Sequence, residues 1–110
     1  MYFNDEIILI KETETKNDFG QYSSVYERNS VFAEIKGVSS RELADAGTAG
    51  HKATGTVVIF TDDYEGEELV EITEPHPILK PGVYEVYRKY QTKDKIDLYL
   101  KEKVGLYGTD

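Results

Sequence analysis

The sequence predicts an all-β fold: a small β-barrel of five to six mostly antiparallel strands, with one short helix in a long inter-strand loop. Three observations point there. Apolar residues alternate at period two in several short stretches. Tyr, Val, Ile and Thr dominate those stretches, and branched or aromatic side chains pack well on a pleated surface. Clusters of Asn, Asp, Gly and Pro punctuate them as turns. At 110 residues the chain is a single domain, 1–110, with room for one modest core. Closing the sheet on itself hides the edges that an open sheet would leave unpaired.

Glu6 to Lys11 reads as the first strand, an apolar run with charged ends. Lys11 to Phe19 is polar and closes on the turn signal Asn17-Asp18-Phe19-Gly20. Gln21 to Arg28 fits either extended chain or loop. Ser30 to Val38 alternates, with Val31, Ala33 and Ile35 on one face and Phe32, Glu34 and Lys36 on the other. The period then changes. Ser39-Ser40-Arg41-Glu42 fits a capping box, in which Ser39 accepts from the Glu42 amide and Glu42 reaches back. Leu43, Ala44 and Ala46 follow, and Gly47 is placed to supply the left-handed residue that ends a short helix.

The segment Gly47-Thr48-Ala49-Gly50-His51-Lys52-Ala53 is small, glycine-rich and without anchoring hydrophobes, so a mobile loop is expected. Thr54 to Thr61 returns to strand and is apolar on both faces at its centre, which predicts the most buried strand. Asp62 to Glu67 is an acidic hairpin turn, and Glu68 to Thr73 a further strand. Glu74-Pro75-His76-Pro77 must interrupt pairing, because proline cannot donate to a ladder. Pro81-Gly82 turns again. Val83 to Gln91 and Ile96 to Lys103 then form a hairpin around Thr92-Lys93-Asp94-Lys95.

Composition narrows the function. Thirteen basic against 21 acidic residues give a net charge of −8, so the surface repels phosphate and anionic lipid. A DNA-gripping or membrane-surface protein is not expected. Cysteine is absent, which removes disulfides, thiolate zinc sites and cysteine nucleophiles. The opening residues are acidic where a signal peptide is basic, and Ile7 to Ile10 is too short for a membrane span.

The catalytic inventory is thin, and neither an enzyme nor a cofactor is expected. His51 and His76 sit far apart, each in a segment that reads as a solvated loop. Asp62-Asp63-Tyr64-Glu65-Gly66-Glu67-Glu68 gathers oxygen ligands around a glycine, as a calcium loop does. Aligning Gly66 with the sixth position, however, puts Thr61 first and Ile72 twelfth, where carboxylates are required. Metal-assisted hydrolysis there is the least supported reading. Gly50 and Gly55 have P-loop spacing, but Thr56-Val57 stands where the lysine and hydroxyl must follow. The tyrosines suit a core and its rim better than a base-stacking platform on so acidic a chain.

One ordered series resembles a known family. Val31-Phe32-Ala33-Glu34-Ile35-Lys36-Gly37-Val38-Ser39-Ser40-Arg41-Glu42-Leu43-Ala44-Asp45-Ala46-Gly47-Thr48-Ala49-Gly50-His51-Lys52 is similar to the centre of the phage head–tail joining family, the head-closure or stopper proteins of long-tailed bacteriophages. The later pieces follow in order: Asp63-Tyr64-Glu65-Gly66-Glu67, then Tyr84-Glu85-Val86-Tyr87-Arg88, then Asp94-Lys95-Ile96-Asp97-Leu98-Tyr99-Leu100 through Val104-Gly105. The opening Asp5-Glu6-Ile7-Ile8-Leu9-Ile10 is similar as well. Glu74 to Gly82 departs from the pattern, standing where members usually have a tight turn.

The resemblance implies a dodecameric ring in the virion neck, assembled in the bacterial host cytoplasm. It would sit below the portal and its adaptor ring and above a tail-completion or tail-terminator protein. Packaged DNA would pass through without specific binding. The loop Ser39 to Ala53, and within it Gly47 to Ala53, would project into the channel and close it. The departing turn Glu74, Pro75, His76 and Pro77 would face a partner. A reading from another class is a stand-alone β-barrel module that binds a peptide or small ligand.

Overall fold

The alternating stretches become strands, and the polar chain between the first two extends them further. The structure, a computed structural model, describes residues 3–48, 50 and 52–103. In order they form β1 (Asp5–Lys16), β2 (Tyr22–Lys36), α1 (Ser40–Thr48), β3 (Ala53–Phe60), a 3-10 turn (Thr61–Asp63), β4 (Leu69–Ile72), β5 (Gly82–Gln91) and β6 (Lys95–Glu102). The strands close a barrel in the order β1-β2-β3-β6-β5-β4, and every pair is antiparallel. This is the small all-β barrel that the alternation predicts, with a short helix, α1, between β2 and β3.

Period two decides which side chains fill the interior. Ile7 and Leu9, Val31, Ala33 and Ile35, Val57 and Ile59, Val70 and Ile72, and Ile96, Leu98 and Leu100 each recur at every second position in one core cluster. Fully burying a side chain of this kind is worth about 1.5–3 kcal/mol. The outward face of β3 is covered too: Thr56 and Val58 are buried opposite to Val57 and Ile59, and α1 lies against this strand.

The barrel has two distinct ends. One carries α1 and the 73–81 connection. The other carries the 61–68 connection and the β5–β6 turn. The segment 61–68 is not the hairpin turn that its sequence predicts, because β3 and β4 stand opposite each other in the ring. It crosses the barrel mouth instead. Tyr64 packs against the core, the Thr61 amide donates to the Asp94 carbonyl (2.9 Å), and the Val86 amide donates to the Glu68 carbonyl (2.8 Å).

β1 and β2 run well past the barrel at this second end. β4 pairs only with Ile8–Ile10 of β1, and β3 only with Glu34–Lys36 of β2. Beyond Ile10 the two strands continue as a projecting ribbon, in register from Lys11 opposite Glu27 to Lys16 opposite Tyr22. The molecule is accordingly elongated, 49 × 30 × 28 Å. β1 therefore runs five residues past Lys11, where the apolar pattern ends, and Tyr22 to Arg28, which fits extended chain or loop by sequence, is strand. Neither half of the ribbon has an apolar face, so the alternation signal is missing there although the backbone is extended.

Candidate functional site

The helix end of the barrel holds both segments that the sequence singled out. The Ser39 hydroxyl caps α1 by accepting from the Glu42 amide at 3.1 Å, and the Leu43 amide donates to the Ser39 carbonyl at 2.9 Å. The reciprocal arm of the expected capping box is absent. Instead the Glu42 carboxylate turns inward, accepts from the Tyr87 hydroxyl at 2.9 Å and pairs with Arg88 Nη1 at 3.2 Å. Only 6% of Glu42 is exposed. A buried charge is tolerable when it is paired and hydrogen-bonded, and a cap does not offer that much.

A bulge in β5 makes this possible. The register with β6 jumps between Val86 and Arg88, leaving Tyr87 as the extra residue. Consecutive strand residues normally point to opposite faces, but a bulge re-aims one of them. Tyr87 and Arg88 can therefore reach the same carboxylate. The Arg88 guanidinium stands 5.3 Å from the centroid of the Tyr99 ring, and the Tyr87 and Tyr99 rings are 6.4 Å apart. Burial, then the hydrogen bond to Glu42 and its negative charge, push the Tyr87 hydroxyl up to about 12, with Arg88 opposing. Burial also raises Tyr99.

This clasp was not foreseen, although Glu42, Tyr87 and Arg88 were all singled out. Its signal lay in α1 itself. The helix buries only Glu42 and Ala46, one turn apart, while Leu43 is half exposed. A helix whose inward stripe contains a carboxylate needs a partner for it on the wall beneath.

The segment Gly47 to Ala53 is not one uniform loop. Gly47 and Thr48 form the last turn of α1, where the Thr48 hydroxyl donates to the Ala44 carbonyl (3.0 Å). Gly50, with φ +85°, is the left-handed residue expected at Gly47, and its amide donates to the Gly47 carbonyl (3.1 Å). Ala53 already pairs with Lys101 as the first residue of β3. Lys52 is exposed between them. Ala49 and His51 lie outside the described residues, as does the tail from Val104 to Asp110.

Glu74, Pro75 and Pro77 are exposed in the 73–81 connection, but His76 is not the solvated histidine expected. Its Nδ1 accepts from the Ile78 amide at 3.1 Å, and its Nε2 stands 3.6 Å from Asp5 Oδ2. Three residues on, Leu79 enters the core. The Tyr84 hydroxyl donates to the Lys80 carbonyl at 2.6 Å, and burial raises that hydroxyl. The connection is a plug fastened to the barrel.

At the opposite end the acidic stretch is partly structural. Glu67 is buried and accepts from the Glu65 amide at 2.7 Å, while the Tyr64 hydroxyl donates to the Glu67 carbonyl at 2.6 Å. Lys89 Nζ lies 5.3 Å from the Tyr64 ring centroid. Among the described residues, no three histidine, aspartate or glutamate side chains are grouped so as to hold a metal ion. A shallow groove beside the stretch is lined by Phe60, Thr61, Asp62, Asp63, Lys93 and Asp94.

These features define a closed six-stranded antiparallel barrel, plugged at one end and carrying a clasped helix on its outer wall. The chain is similar in fold to the solution structure of protein SF1141 from Shigella flexneri 2a. The two share 17% sequence identity over 93% of this chain and 94% of that one, with a TM-score of 0.67. No family model matches the sequence, and no curated protein matches it.

Proposed function

We propose that this chain is a structural virion protein of the head–tail joining type. It would form a ring at the head–tail interface that closes the DNA channel after packaging and joins the head to the tail. The observation that carries the reading is where the ordered motif series falls. Val31 to Ile35 lies on β2, Ser39 to Glu42 opens α1, Asp63 to Glu67 crosses the far mouth, and Tyr84 to Arg88 and Ile96 to Leu100 pair as β5 and β6. The connection assigned to the channel leaves the barrel through a helix fastened by Glu42, followed by small residues that let neighbouring backbones approach closely. The net charge of −8 suits a channel wall along which DNA must slide. Its partners on this reading are further copies of itself, the adaptor ring above and a tail-completion protein below.

The test is retention of packaged DNA. Deleting residues 47–52 should leave a folded subunit that assembles on filled heads, yet give heads that leak their DNA. Full retention by the deletion variant removes the gate assignment.

The groove between the 3-10 turn and the β5–β6 turn favours a second reading, a free-standing module that binds a peptide or small ligand. Sedimentation with tailless, DNA-filled heads separates the two. Co-sedimentation supports the neck protein, and a chain that stays in the supernatant supports the module.

A further inference from the structure

The ribbon beyond Ile10 pairs with no other strand among the described residues, yet its sequence is built to hold an extended shape. Its tip is a three-residue loop, Asp18-Phe19-Gly20, with Gly20 at φ +79°. The Gly20 amide donates to the Asn17 carbonyl (3.1 Å), and the Asn17 amide to the Gln21 carbonyl (2.8 Å). Asn17 Oδ1 accepts from both the Phe19 and Gln21 amides at 2.9 Å. The arms carry the strand formers Thr13, Thr15, Tyr22 and Val25. A two-stranded hairpin alone is marginal in water, and a third strand is what ordinarily makes one stable.

The ribbon offers two open edges. Counting from the Asn17–Gln21 bond, hydrogen-bonded pairs alternate along an antiparallel ladder. The backbone groups of Thr13, Thr15, Ser23 and Val25 therefore face the sister strand, and those of Glu12, Glu14, Tyr22 and Ser24 face outward. No proline or bulge guards either outward row.

We propose that the ribbons of neighbouring copies pair edge to edge, β1 of one copy against β2 of the next, and so continue one sheet around the ring. This rests on the ring reading given above. In a ring all ribbons project the same way, so an outgoing β1 lies beside an incoming β2 and the pairing is antiparallel without any rearrangement. Charge selects the same match. In the register that the hairpin itself uses, Lys11 meets Glu27, Lys16 meets Tyr22, and no like charges face each other. Within one chain Lys16 Nζ already lies 5.6 Å from the Tyr22 ring centroid. Pairing β1 with its own copy instead sets Glu14 on Glu14 or, in the neighbouring register, Glu12 on Glu14. Pairing β2 with itself closes at two copies and leaves every β1 edge bare, whereas unlike edges repeat around a ring.

Thr13→Cys and Val25→Cys, made separately in this cysteine-free chain, test the match, since the two positions would face each other between copies as a closely spaced pair. The two proteins are mixed at the highest soluble concentration and oxidised with diamide. The expected result is a disulfide dimer in the mixture and in neither protein alone. Adding Ser24→Pro to the Val25→Cys chain, which removes an outward amide, should abolish that dimer with circular dichroism unchanged. A dimer from Val25→Cys alone, or no dimer in the mixture, overturns the proposal. Rings seen on heads without the mixed disulfide remove the edge pairing and leave the neck reading. A mixed disulfide in a protein with no affinity for heads supports the edge pairing and removes the neck reading.

Discussion

Leu79 occupies the space that a side chain at Gly55 would need: a β-carbon there would stand 2.7 Å from Leu79 Cδ2 and 3.0 Å from its Cγ. Both residues are buried, one in β3 and one in the 73–81 plug. The glycine is kept small by the leucine, and the leucine anchors a connection that is otherwise largely exposed. Gly55→Ala should destabilise the fold by about 1–3 kcal/mol through overpacking. Leu79→Ala should cost about 2–5 kcal/mol by opening a cavity. Because the alanine methyl fills part of that cavity, Gly55→Ala/Leu79→Ala should be more stable than the two separate losses sum to, by urea unfolding.

The Glu42 clasp ties α1 to a strand 45 residues away in sequence. The helix spans nine residues, too few to hold its shape without packing. Glu42→Ala removes the carboxylate that the Tyr87 hydroxyl and the half-exposed Arg88 share, and should cost about 2 kcal/mol. Glu42→Gln keeps one oxygen acceptor and should lose less. Hydrogen exchange is the discriminating measurement. Amides of residues 40–48 should exchange faster in Glu42→Ala, while those of Val57 and Leu98 speed up only as far as global stability falls. Unchanged exchange in α1 would mean that packing of Ala46 alone holds the helix.

The barrel strands were legible because burial leaves a period-two mark: Val31, Ala33 and Ile35, or Ile96, Leu98 and Leu100, show it without any tertiary knowledge. The Ser39 cap was legible because its chemistry is local. The direction of the Glu42 carboxylate was not, since Tyr87 and Arg88 reach it only after a bulge that no local pattern announces. The ribbon was hidden for the opposite reason: its residues are exposed on both faces, so burial wrote no alternation into Lys11 to Lys16. The acidic stretch was misread as a hairpin turn because chain order does not reveal which strands are neighbours in a closed ring. His76 looked solvated between two prolines because its contacts, Asp5 and the Ile78 amide, depend on Leu79 being drawn into the core.

Tyr87 makes stability fall with alkaline pH. Its hydroxyl titrates near 10.0 when unfolded and is pushed up to about 12 in the fold, mainly by burial and then by Glu42. Between these values the folded chain holds a proton that the unfolded chain has lost, so folding weakens as pH rises through that window. The contribution is complete below pH 10 and gone above about 12. Tyr64, Tyr84 and Tyr99 are raised as well, chiefly by burial, and act in the same direction. Replacing Tyr87 with Phe should therefore flatten the decline without abolishing it, as read from urea midpoints across the window. An identical slope in the variant would show that this hydroxyl does not titrate differently in the fold.

The turn at the ribbon tip should be separable from the barrel. Asn17→Ala removes the side-chain acceptor for the Phe19 and Gln21 amides, a loss of about 1 kcal/mol. Gly20→Ala forces a β-carbon into left-handed backbone at φ +79°, with a strain of about 1–2 kcal/mol. Both changes fall where the two strands have only each other, so they should open the ribbon locally. Amide exchange from residues 11–25 should speed up by roughly fivefold for each kcal/mol lost. The thermal midpoint of the barrel should stay where it is, because Ile7, Leu9 and Val31 keep every core contact. A lowered midpoint in either variant would mean that the ribbon and the barrel unfold as one unit, and that the third strand it lacks is not needed to keep it formed.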